Sequence, residues 1–239
     1  MSKTFKSAAA ALMLVGALGA SSQAQALSIL IDGFGDDAAT GTTVHDASGT
    51  GPGSNGASTD GPAGAGLLDT DLSSANRVIT AESFGAFATE DVIANNSGAS
   101  GYLEINNSST SNGIASLYYT FASQDFTALG GTALLLDVQA IDLGVQVNMI
   151  VNGTSSSGFQ AFTGPGQFFA LFSSFSDPSQ FISVTSLELD FKGVTAWDGR
   201  FDNLRVDIPP PPNAPEPATL ALIGMGLAGF AAARKKKQA

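Results

Sequence analysis

Trp197, Asp198 and Arg200 lie together in the stretch Thr195-Ala196-Trp197-Asp198-Gly199-Arg200. They are the best candidates in this chain for holding a sugar, because an indole can stack on a pyranose face while a carboxylate and a guanidinium hydrogen-bond its hydroxyls. A tryptophan in a turn ahead of a strand equally suits a cap on one end of a core. Catalysis is supported less well. The single histidine, His45, stands in a Gly/Thr-rich stretch with no apolar run beside it. Serines are plentiful but no G-x-S-x-G elbow occurs, and with no cysteine there is no thiolate nucleophile, thiolate metal site or disulfide. Glycoside cleavage needs only two carboxyl groups at a set separation. Glu82, Glu104 and Glu188 qualify by type alone, and their alternating placement fits solvent-facing strand positions equally well. The reading is therefore a protein without catalytic residues, with a glycoside hydrolase the least favoured alternative.

The C-terminus carries a different kind of chemistry. Pro215, Glu216 and Pro217 precede a 16-residue apolar run, Ala218 to Ala233, and then Arg234, Lys235, Lys236 and Lys237. A helix of that run covers about 24 Å at about 1.5 Å per residue, against about 30 Å of hydrocarbon. It is a short single transmembrane helix, 218–233, suited to transient anchoring. The basic cluster would stay on the cytoplasmic side and the rest of the chain outside. At the other end Lys3 and Lys6, an apolar stretch from Ala8 to Ala20 and Ala24-Gln25-Ala26 read as a signal-peptide helix, 1–26, cut by signal peptidase before Leu27.

Ala214-Pro215-Glu216-Pro217-Ala218-Thr219-Leu220-Ala221-Leu222, then Gly224-Met225-Gly226-Leu227-Ala228-Gly229, then the basic end, resembles a PEP-CTERM sorting signal, with Ala214 where the family usually has Val. The resemblance implies export across the inner membrane of a Gram-negative bacterium, recognition of Pro-Glu-Pro by an exosortase and removal of the tail. It also implies transient residence in the inner membrane as a precursor, then a place at the cell surface or in an extracellular polysaccharide or biofilm matrix.

The body, 27–208, is one domain by length. It keeps only Arg77, Lys192, Arg200 and Arg205 against twenty acids, a formal charge of −16. That repels nucleic acid and anionic lipid. Residues 38–66 are dominated by Gly, Ser, Thr, Ala and Pro and read as a long surface loop or partly disordered insertion. The linker 209–214 opens with four prolines and predicts an extended spacer ahead of the tail, 215–239. Between them β-branched and aromatic residues alternate with polar ones. The pattern predicts strands at 27–31, 77–84, 102–106, 114–121, 133–140, 146–151, 157–163, 167–172, 183–191 and 199–206. Asn152-Gly153 marks a hairpin. Phe168, Phe169, Phe172, Phe175 and Phe181 read as core and loop packing. The fold class is all-β, an antiparallel β-sandwich of the jelly-roll kind.

Ile29-Leu30-Ile31-Asp32-Gly33-Phe34, Leu187-Glu188-Leu189-Asp190-Phe191 and Arg200-Phe201-Asp202-Asn203-Leu204-Arg205-Val206 are similar to the first and last strands of carbohydrate-binding-module-like jelly rolls. In those folds a calcium ion often sits beside these strands. The resemblance implies that Asp32, Asp36 or Asp37 meets Asp202 or Asp207 around a cation that takes six to eight oxygens. The alternative is that these acids are ordinary loop and turn residues.

Overall fold

The computed structural model describes residues 28–35, 42–46, 56–60, 67, 69–85, 88–95, 101–162, 164–209 and 225. The expected signal-peptide helix, the expected transmembrane helix 218–233 apart from Met225, and Asp36 and Asp37 lie outside them. No described helix is long and apolar enough to cross a membrane. The chain divides into two compact units, Met1–Asp207 and Ile208–Ala239, and the strands belong to the first.

The alternation read from the sequence turns every second residue inward where one face is covered, as for Arg77, Ile79 and Ala81 or Leu103 and Ile105. In chain order they are β1 Ile29–Asp32, β2 Thr42–Asp46, β3 Gly56–Asp60, β4 Asn76–Glu82, β5 Glu90–Asn95, β6 Tyr102–Asn107 and β7 Ile114–Gln124. They continue with β8 Ala133–Ile141, β9 Val145–Val151, β10 Ser155–Ser156, β11 Gln160–Ala161, β12 Gly166–Leu171, β13 Val184–Gly193 and β14 Gly199–Asp207. Two antiparallel sheets result. The first runs β12-β8-β14-β6-β5-β2 with β1 also on β14, and the second β10-β9-β13-β7-β4-β3 with β11 also on β9. This is the expected jelly-roll-like sandwich. Ala115, Leu117, Tyr119 and Phe121 of β7, Leu187, Leu189 and Phe191 of β13, and Phe201, Leu204 and Val206 of β14 fill the space between the sheets. Phe172, Phe175 and Phe181 close one end, the rings of Phe172 and Phe181 stacking at 3.7 Å.

Three expectations need correction. Residues 38–66 hold two strands: β2 pairs β5 from Thr42↔Ala94 to Asp46↔Glu90, and β3 pairs β4 from Gly56↔Ala81 to Asp60↔Arg77. Both are outermost in their sheets, so each needs a partner on one side only and little apolar sequence of its own. His45 is accordingly a strand residue, exposed as expected, with Nδ1 2.5 Å from Asp91 on the neighbouring strand. The strand expected at 157–163 is reduced to the two residues of β11, with the short β10 just ahead of it. Asn152 and Gly153 do form a turn, both with positive φ (51° and 65°), and Thr154 N–H donates to Val151 O.

Polar side chains also bridge the sheets. Asp32, buried on β1, faces Arg77 of β4 and Tyr119 of β7, which sit opposite one another in the second sheet. Arg77 Nη1 lies 2.5 Å from Asp32 Oδ2, the Tyr119 hydroxyl donates to the same oxygen at 2.8 Å, and Phe34 N–H donates to Oδ1 at 2.7 Å. Arg77 also lies over the Phe34 ring. Burial first, and the Asp32 charge second, push the Tyr119 phenol well above its ordinary range. A second bridge joins β5 and β2 to the end of β4. Glu90 Oε2 accepts from Glu82 N–H at 2.7 Å, and Asp46 accepts from the Ser83 N–H and hydroxyl at 2.7 and 3.0 Å. Glu90 is fully buried and its Oε1 has no hydrogen-bond partner. Burial chiefly, with Asp46 and Glu82 adding to it, pushes its carboxyl up to about 8.

Arg77→Ala leaves Asp32 charged in the interior and should cost about 3–5 kcal/mol in urea unfolding, whereas Asp32→Leu with Arg77→Met should cost much less. Glu90 binds a proton more tightly folded than unfolded, so its contribution is complete below about pH 4.5 and is lost as pH rises towards about 8. Unfolding midpoints of the parent protein should fall across that window, and Glu90→Gln should remove most of the slope and be the more stable at pH 8. An unchanged slope in Glu90→Gln would assign the dependence elsewhere.

Candidate functional site

Trp197 is 0 % exposed, which removes it as a stacking platform. The turn before β14 is folded back by Ala196 N–H on Ser111 O and Trp197 N–H on Val194 O, with Ala196 at a φ of 64°. This drives the indole under the sheet, where Nε1 donates to Gly113 O at 3.0 Å. It packs so closely on Gly193 that a Cβ there would lie 2.5 Å from the indole. The core-cap alternative is the one the chain adopts.

Asp198 and Arg200, one and three residues further on, take the opposite face and reach a groove of about 340 Å³ across β6, β14 and the end of β8. Glu104 and Asn106 of β6 and Asp142 after β8 share that groove. Arg200 stands opposite Glu104 on one side and Ala140 on the other. Its guanidinium lies 3.4 Å above the Tyr102 ring, and its buried Nε has no hydrogen-bond partner. Asp198 is locked by accepting from Asn107 N–H at 2.7 Å, while its own N–H donates to Asp142 Oδ1 at 2.8 Å. Partial burial, then the charges of Asp142 and Glu104, push its carboxyl up, with the Asn107 bond opposing them. The arrangement offers a flat cation on an aromatic ring surrounded by carboxylate and amide acceptors, a set suited to a polyhydroxylated ligand.

Sequence reasoning placed Asp198 and Arg200 but missed Tyr102, Asn106 and Asp142, and weighed Glu104 only as an acid. The available signal was the period of β6: Tyr102, Glu104 and Asn106 alternate with buried Leu103 and Ile105. Of the other acids considered for catalysis, Glu82 belongs to the inter-sheet bridge, and Glu188 lies in the middle of β13 in the other sheet.

The calcium arrangement is not formed by Asp32 and Asp202. Asp32 points inward and its oxygens are taken by Arg77, Tyr119 and Phe34. Asp202 points outward, accepting from Gln139 Nε2 and Asn203 N–H, so the sheet itself separates them. Asp207 is held by Arg205, which also pairs with Asp137. Among the described residues no three acidic or histidine side chains converge as a metal site.

No curated protein is significantly similar to the chain in sequence. Among solved structures it is similar to the family 11 carbohydrate-binding module of a cellulosomal cellulase of Clostridium thermocellum, at 11 % identity over 76 % of this chain and 94 % of that one, with a TM-score of 0.39. The same organism's family 11 module in complex with a β-1,3-1,4-mixed-linked tetrasaccharide aligns at 10 % identity, covering 75 % and 95 %, with a TM-score of 0.36. At that level the likeness says nothing of what this chain binds. Pro215, Glu216, Pro217 and the basic residues Arg234 to Lys236 of the C-terminal motif lie outside the described residues, but the motif is defined by its sequence. Residues 213–236 match the PEP-CTERM protein-sorting motif, and the chain carries that sorting signal at its C-terminus.

Proposed function

We propose that this is an exported, non-catalytic surface or matrix protein whose sandwich binds extracellular polysaccharide through the groove of Glu104, Asn106, Asp142, Asp198 and Arg200, the last stacked on Tyr102. The sorting motif supports its processing by an exosortase. Signal peptidase cuts the N-terminal segment, and the precursor stays transiently in the inner membrane by its C-terminal run. The observation that carries the binding reading is Arg200, stacked on Tyr102 and set among Glu104, Asn106, Asp142 and Asp198 in an open groove. Three carboxylates around one guanidinium disfavour anionic ligands, so the groove suits neutral polysaccharides better than uronic-acid polymers. Calcium has no part in binding through this groove.

The test is affinity electrophoresis and calorimetry against soluble neutral glucans, galactans and a uronic-acid polymer. Binding to a neutral polymer should persist in chelator and release no reducing ends. Arg200→Ala and Tyr102→Ala should each weaken it about tenfold or more while leaving the unfolding midpoint nearly unchanged. Trp197→Ala should instead destabilise the fold by about 3–5 kcal/mol. Retention unaffected by either groove variant would overturn the reading.

A further inference from the structure

Natural sheets protect their outermost strands with charges, prolines, bulges or short length. Most of the outermost strands here fit that rule. β2 ends in His45 and Asp46, β3 ends in Asp60, and β10 and β11 are two residues each. β12 does not. It reads Gly-Gln-Phe-Phe-Ala-Leu, six residues without charge or proline, paired with β8 in unbroken register from Gly166↔Val138 to Leu171↔Ala133. Among the described residues no strand occupies its other side, where alternate N–H and C=O groups face outward. Phe168 and Ala170 turn to the core, Phe168 meeting Phe162 edge-on at 4.8 Å, while Gln167, Phe169 and Leu171 lie on the outer face with Leu171 45 % exposed.

We propose that β12 is a dimerisation edge: two copies of this chain pair β12 to β12 antiparallel about a two-fold axis, joining their first sheets. The free backbone groups call for a strand, and this one is its own complement, because a two-fold antiparallel pair is closed and uses the free side of β12 in both copies. Charge argues for the same place. A body of formal charge −16 repels its own copies elsewhere, whereas β12 is neutral, and Asp137, the acid beside Gln167, is held by Arg205 at 2.7 Å. With the axis at Phe169, each Phe169 faces its counterpart and Gln167 faces Leu171 of the other copy, so exposed Leu171 gains cover.

The test uses the full chain in detergent micelles. Sedimentation equilibrium should show a dimer, and Leu171→Lys, an exposed change, should weaken it at least tenfold with circular dichroism and unfolding midpoint unchanged. The chain has no cysteine, so introduced ones report alone. Phe169→Cys should oxidise to a disulfide dimer while exposed Thr154→Cys does not. If Phe169→Cys fails to fold, Gln167→Cys with Leu171→Cys should cross-link instead. A monomer at all concentrations, a dimer indifferent to Leu171→Lys such as one held by the apolar tail, or equal cross-linking at Thr154 would each overturn the proposal.

Discussion

The contact on which the sandwich depends is the buried pair of Asp32 and Arg77. Arg77 occupies an inward position of β4 between Asn76 and Val78, where strand alternation would ordinarily place an aliphatic residue. A charge there is tolerable only if an opposite one meets it across the core. β1 supplies it, with Tyr119 and Phe34 N–H filling the remaining acceptor sites. Such a pair contributes little net stability over an apolar substitute, but its geometry is exacting. A one-residue slip of β1 on β14 would turn Asp32 outward and strand Arg77. The pair therefore fixes how the two sheets face each other. β1 is short but pinned on its free side, where Leu30 and Gly33 exchange backbone and side-chain bonds with Asp69 and Asp71.

The acidic composition is less available to ligands than its count implies. Asp32, Asp46 and Glu90 lie inside and join the sheets. Asp125 and Asp177 lie at the surface, half-buried, and close local turns, Asp125 accepting from the Thr127 hydroxyl and N–H and Asp177 from Ser179, bonds that hold both carboxyls below their usual range. Asp137 and Asp207 share Arg205. Among the described residues Glu104, Asp142 and Asp198 meet Arg200 in one groove. Net charge argues against nucleic acid but could not locate a cation site, since many of these carboxylates already have donors.

Most interior strands were legible because two-sided pairing and burial on one face impose alternation, although β5, paired on both sides, was not among the expected strands. Leu187, Leu189 and Phe191 against Glu188, Asp190 and Lys192 is the clearest case. The outermost strands β2 and β3 were not, because a strand paired on one side can be built from Thr, Gly, Ala and Ser, the same residues that mark loops. Asp32 was read as a ligand because sequence shows a carboxylate without its surroundings. Its partners Arg77 and Tyr119 are 45 and 87 residues away.

The misreading of Trp197 and the placement of Asp198 and Arg200 come from the same period of two. Trp197 and Gly199 point into the sandwich, so Asp198 and Arg200 must point out. Had the indole been exposed as a sugar platform, the guanidinium two strand positions away from Asp198 would have been driven towards the core. Gly193 and Gly199 complete the arrangement, since a Cβ at either would press on the indole or the Phe201 ring. The tryptophan therefore acts on the groove from beneath: its burial, secured by Gly113 O and by Asn107 Nδ2 donating to its own carbonyl, sets the outward direction of the polar pair. The direction of Asp198 and Arg200 therefore rests on a core residue, and the aromatic ring that Arg200 covers, Tyr102, comes from the neighbouring strand.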